Sequence, residues 1–133
     1  VTIWILLALP VAALGWAVVD LFLLKRGIAM EWQGQVYRLR LSSWLPRLLG
    51  SGGTTIGDEI HIAGPSVSAW LLGHEFAHVI RAKKVGRFRY LWRYLTSKAF
   101  RTSEELACNL WADLHHKEPH PKWVASSIRK GGA

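Results

Sequence analysis

The sequence predicts an α+β domain carried behind an N-terminal transmembrane helix. Three observations predict it. Residues 3–24 are almost unbroken apolar side chains; the stretches 35–41 and 54–63 alternate apolar and polar positions; and helix-initiating and helix-terminating residues bracket three segments after residue 64. The chain has 133 residues. With residues 1–26 assigned to an anchor, residues 27–117 remain for one small domain, and 118–133 for a flexible basic tail.

The apolar run IWILLALPVAALGWAVVDLFLL ends at Lys25-Arg26. As a helix it rises about 33 Å, enough to cross a hydrocarbon layer of about 30 Å. Pro10 and Gly15 are tolerated in such helices. Asp20 is the one charge and stands a turn from the basic boundary, within reach of a headgroup or a neighbouring cation. A cleaved signal peptide fits less well, because its apolar core is shorter and a basic segment precedes it. Basic residues follow this run and none precede it, which by the positive-inside rule predicts a single-pass membrane protein with its C-terminal domain in the cytoplasm.

The segment QVYRLRL (35–41) reads as a strand, Ser42–Leu49 as a short helical connector, and Gly50–Gly53 as a flexible turn. TTIGDEIHIA (54–63) reads as a strand or hairpin. Gly64-Pro65-Ser66 stops it and starts a helix with Ser66 as N-cap, running to about Lys84 and closed by Gly86. Phe88–Phe100 is aromatic, basic and helical in character, and Thr102-Ser103 is expected to cap a last helix from Glu104 to about His116.

The formal charge is +8, from 17 Lys and Arg against 9 Asp and Glu. That surplus suits an anionic partner, and beside an apolar anchor the acidic face of a bilayer is expected rather than nucleic acid. Phe88–Arg101 mixes aromatic and basic residues and fits a core-packed helix with a basic outer face or a membrane-surface segment. Trp32, Trp44, Trp92 and Trp123 suit either the headgroup layer or the core, whereas Trp70 and Trp111 read as core. The single cysteine, Cys108, excludes an internal disulfide and reads as a small buried filler.

The residues that carry chemistry are His74-Glu75-Phe76-Ala77-His78. Histidines four apart on a helix share a face and can give two ligands to one Zn²⁺, with the intervening Glu75 placed to take a proton from a metal-activated water. Ala69, Leu72, Phe76, Val79 and Ile80 fall on the opposite side as a core stripe. A third ligand must come from elsewhere. Glu104 and Glu105 both open the last helix. Glu104 falls beside the stripe Leu106–Leu110–Leu114, where a buried carboxylate needs a partner, and is the expected ligand; Glu105, on the polar side, is its rival. His115, His116 and His120 are less well placed.

These residues resemble the zincin metallopeptidases of the glutamate-ligand branch (gluzincins), in particular the small zincin-like domains found beside bacterial toxin and phage genes. The resemblance rests on Gly57-Asp58-Glu59-Ile60, on Leu71-Leu72-Gly73-His74-Glu75-Phe76-Ala77-His78-Val79, and on Glu104-Glu105-Leu106-Ala107, and covers about residues 54–114. It implies a minimal zincin fold: a small sheet, an active-site helix bearing His-Glu-x-x-His, and a second helix bearing a glutamate. It further implies His74, His78 and Glu104 as zinc ligands, Glu75 as general base, and peptide or protein substrates cut by metal-activated water. The strand Asp58–Ala63 would line the substrate cleft through Ile60, His61 and Ile62, unless it is an internal strand. Tyr90, Tyr94, His115 and His116 are candidates for stabilising an oxyanion. Where membrane-tethered relatives follow the motif's alanine with an aspartate that supports a ligand, this chain has Cys108. The competing readings are a zinc-binding scaffold without turnover, and a basic membrane- or nucleic-acid-binding protein with an accidental motif.

Overall fold

A computed structural model describes residues 2–24, 26–119 and 121–123. The apolar run forms helix α1 (Thr2–Val18), whose last turn widens into a π-helical segment at Val19–Leu23. The window Leu6–Leu23 is long and apolar enough to cross a membrane, and only 6% of it is buried against the rest of the molecule. Its attachment to the domain is polar. Asp20 is fully buried and accepts from Trp44 Nε1 at 2.6 Å and Arg40 at 2.9 Å, with Arg26 at 3.3 Å. Oδ2 takes both hydrogen bonds, while buried Oδ1 has only the charge contact with Arg26, so the carboxylate is neutralised by two guanidinium groups but hydrogen-bonded through one oxygen. Lys25 lies outside the described residues.

The α+β class is borne out. Strands β1 (Ile28–Trp32) and β2 (Gln35–Arg40) form a hairpin, turning at Gln33-Gly34, both with positive φ. Helix α2 (Trp44–Leu49) follows, ending at Gly50 in the left-handed conformation that closes helices without side-chain strain. Strands β3 (Gly53–Ile56) and β4 (Glu59–Ile62) make the second hairpin. Strand β4 runs parallel to β2, with Leu39 opposite Ile60, and the sheet order is β3-β4-β2-β1-β5. Strand β5 (Lys122–Trp123) pairs with β1, so the chain beyond residue 117 is in part sheet rather than loose tail. Residues 124–133 and His120 of that expected tail lie outside the described residues.

Helix α3 packs on the sheet, and two further helices pack on α3. Helix α3 (Ala69–Val85) starts at Ser68, whose hydroxyl accepts from Leu71 N, two residues later than the expected cap at Ser66. Helices α4 (Arg87–Thr96) and α5 (Lys98–His115) divide the region expected to be one aromatic helix and a later one. Ser97 breaks the chain and caps α5 through Phe100 N, and Thr102-Ser103 sit inside α5 instead of at its start. The core lies where α3 meets the sheet. Phe76 is fully buried, with Trp32, Tyr37 and Trp111 rings at 5.0, 5.2 and 5.4 Å. Leu72 and Val79 join it, as the core stripe on α3 requires. Trp32 is therefore core, while Trp92 is exposed and Trp70 only partly covered.

Candidate metal centre

The imidazoles of α3 face away from that core, toward α5. Close approach of the two helices is permitted at Gly73, where an added Cβ would already stand 3.5 Å from Ala112 Cα. The helices run antiparallel: Trp70 donates to Asp113 at one end, and Arg81 meets Glu104 at the other. Between these points Glu105 faces the histidines. His74 Nε2 lies 2.9 Å from one carboxylate oxygen of Glu105, and His78 Nε2 lies 3.2 Å from the other. Both histidines are buried. One potential ligand atom from each of the three residues falls within 4.8 Å of the others, so this group can hold a metal ion.

The donor set fits a small divalent cation. A four-coordinate ion with bonds of about 2.0–2.1 Å spaces its ligands about 3.3 Å apart, near the separations found between Glu105 and the two imidazoles. The tautomer of His78 is fixed from behind. Its Nδ1 is 2.7 Å from Tyr90 Oη, and that hydroxyl is 3.4 Å from Glu104 Oε2. Glu104 is a carboxylate bound to Arg81 and can only accept, so Tyr90 donates to Glu104 and accepts from His78 Nδ1–H. That leaves a lone pair on His78 Nε2, the atom aimed at the centre.

The meeting carboxylate is Glu105, and the expectation for Glu104 is corrected. Glu104 is buried, as the facing argument required, but its partner is the guanidinium of Arg81 on α3, which holds its carboxyl below the usual range. The error lay in the face. Leu106, Leu110 and Leu114 are 59%, 64% and 77% exposed, so α5 turns this stripe outward and packs through Glu104, Cys108 and Ala112. Glu105, one position on, reaches past that contact to the imidazoles.

The electrostatics follow from this geometry. The adjoining His74 and His78 hold the Glu105 carboxyl far below its ordinary value against burial. Burial opposes protonation of His74, yet Glu105 and Glu75 outweigh it and raise its pKa. Glu75 is buried, which pushes its carboxyl up. Thr55 Oγ1 donates to Glu75 Oε2 at 2.6 Å. Tyr94 also donates to Glu105. Burial raises both Tyr90 and Tyr94, so both remain phenols and donors. Cys108 is fully buried with its thiol pushed up, the behaviour of a filler.

A cleft of about 470 Å³ opens over the centre, lined among others by Gly53, Thr55, Trp70, Leu71, Tyr94 and Glu105. Ile60, His61 and Ile62 do not line it. They belong to β4, which is paired on both sides, and are 0%, 0% and 1% exposed; His61 is spent on Ser43 at 2.8 Å and Glu59 at 3.0 Å. The expectation that they bind substrate is corrected: their backbone groups are already in the ladder. The edge strand on the cleft side is β3. His115 and His116 are also elsewhere. His115 stacks on Trp111 and pairs with Glu118, and His116 bonds Ala112 O. Sequence reasoning missed Gly53, Thr55 and Arg81. Only Arg81 carried a signal: a cation three positions beyond His78 on the same helix face, suited to a buried acid.

No protein-family profile, curated protein or solved structure matches the chain.

Proposed function

We propose that this chain is a zinc-dependent metallopeptidase of the zincin type, held at a membrane by α1, with His74, His78 and Glu105 as zinc ligands. The observation that carries the reading is the convergence of two imidazoles and one carboxylate beside Glu75, at the floor of a cleft edged by β3. Zinc bound there supplies acidification of water toward a pKa of about 7 and stabilisation of charge on a carbonyl oxygen. Glu75 takes the proton from water and passes it to the departing amine; Thr55 fixes one of its oxygens and leaves the other for that proton. Tyr94 lines the cleft with its one O–H donated to Glu105, and would hold an oxyanion only by exchanging that acceptor for it. An extended peptide would add to β3, the edge strand on the cleft side among the described residues. Lipids surround α1 in this reading, with the domain on the cytoplasmic side and the basic surplus toward anionic headgroups.

Metal removal tests it. A chelator should abolish hydrolysis of an unfolded protein such as reduced casein by the full chain in detergent, and about one equivalent of zinc should restore it. Hydrolysis indifferent to chelation would contradict the proposal.

Two substitutions probe the surroundings. Tyr90→Phe removes the acceptor behind His78 Nδ1 and should weaken zinc binding about tenfold by competitive chelator titration, within the range for partners of metal ligands. Gly53→Val places a Cβ 3.1 Å from Glu75 Cγ and 3.2 Å from Ile62 Cδ1. It should displace the Glu75 carboxylate and lower kcat by about a hundredfold while zinc stays bound.

A further inference from the structure

The geometry points to a substrate class for the proposed peptidase: membrane-spanning polypeptides, cut in extended segments within a few residues of the bilayer surface. This rests on the peptidase reading and on α1 lying in the membrane.

Helix α2 links the joint between α1 and the domain to one end of the cleft. Helix α1 projects free of the domain, with Trp4 and residues 6–16 exposed, and is bolted on by Asp20. The indole that binds Asp20 belongs to Trp44, the first residue of α2. Helix α2 has six residues, so it extends about 9 Å from that joint. At its far end Leu49 lines the cleft. Leu48 and Leu49 are 74% and 61% exposed, next to exposed Arg47. Exposed leucines beside an arginine suit the boundary between acyl chains and anionic headgroups, and the inference places them there, one short helix from where α1 joins the domain.

The sheet register fixes the direction of the cleft. Ser43 N donates to Ile62 O and Ala63 N to Gly52 O, placing α2 where Gly53 pairs with Ile62. The opposite end of β3 leads to the Gly57-Asp58 turn, where Arg87 meets Asp58 at 3.6 Å and Phe88 follows, 85% exposed. A peptide laid along the four residues of β3 therefore has one end at the membrane-side leucines and the other near α4. At about 3.3 Å per residue, a chain leaving the bilayer beside α2 reaches Glu75 within about five residues.

Phe88, more exposed than Leu48 or Leu49, lies at the end the inference places away from the membrane, and this makes the inference testable apart from activity. The full chain is reconstituted in phosphatidylcholine–phosphatidylglycerol vesicles with zinc, bearing a polarity-sensitive fluorophore at Leu48→Cys or at Phe88→Cys; buried Cys108 stays unlabelled. Position 48 should shift to the blue relative to detergent-free water, and position 88 should not. A shift at 88 without one at 48 overturns the inference. In the same vesicles, a randomised ten-residue segment is placed three or twenty-five residues beyond a polyleucine span, and also offered as free peptide. Cleavage of the near segment should exceed both others at least tenfold. Equal cleavage of the free peptide overturns the membrane-proximal substrate while leaving the peptidase intact; zinc-loaded protein that cleaves none of the three overturns both.

Discussion

Glu105→Ala should cost about a hundredfold to ten-thousandfold in zinc affinity, measured by competition with a chromogenic chelator, whereas Glu104→Gln should cost less than about tenfold. Binding of zinc to protein sites of this kind is worth about 10–16 kcal/mol, and one of three protein ligands carries roughly a third of it. Glu105 is the carboxylate whose two oxygens stand 2.9 and 3.2 Å from the imidazole nitrogens. Glu104 touches neither; it acts on His78 only through Tyr90, and a glutamine still accepts from that phenol. Its neighbour Arg81 is 42% exposed at the side chain, so water replaces much of the broken ion pair. The opposite ranking, with Glu104→Gln the more damaging to zinc binding, would return the ligand role to Glu104.

The second large effect belongs to Glu75. Glu75→Gln should lower kcat by about 10²–10⁴-fold, the contribution of a positioned general base, with zinc stoichiometry unchanged. The two outcomes are separable because Glu75 is held by Thr55 on the sheet side and is not one of the converging ligand atoms. Glutamine preserves the shape and still accepts from Thr55, so the fold should persist, with a thermal midpoint within a few degrees of the parent. Equal hydrolysis by parent and variant would remove Glu75 from the chemistry.

The helix α3 was legible because Gly86 after it, an apolar stripe at helical spacing and histidines four apart on the other face agree; only its cap was misplaced, at Ser66 instead of Ser68. Strand β2 and the β3–β4 hairpin were legible by alternation. Strand β1 was not, since IAMEW carries no turn signal of its own and depends on pairing with β2 and β5 for its identity. Which of the two glutamates meets the histidines was illegible for a related reason. The leucines of α5 make a regular stripe, and a stripe ordinarily marks the buried face; here the small residues Cys108 and Ala112 pack against α3 and the leucines point out. Helix spacing says which residues share a face but not which face the fold covers. Whether Glu104 or Glu105 reached the histidines turned on that one rotation, and on the presence of Arg81 to take the other acid.

Zinc K-edge X-ray absorption of the purified full chain, alongside its metal content, tests the central claim most directly. One zinc per chain is predicted, bound by two imidazole nitrogens and oxygen donors with no sulfur, the imidazole signal falling when His74 or His78 is replaced by alanine. Protein that takes up no zinc, or holds it in a shell without two imidazoles, would contradict the account.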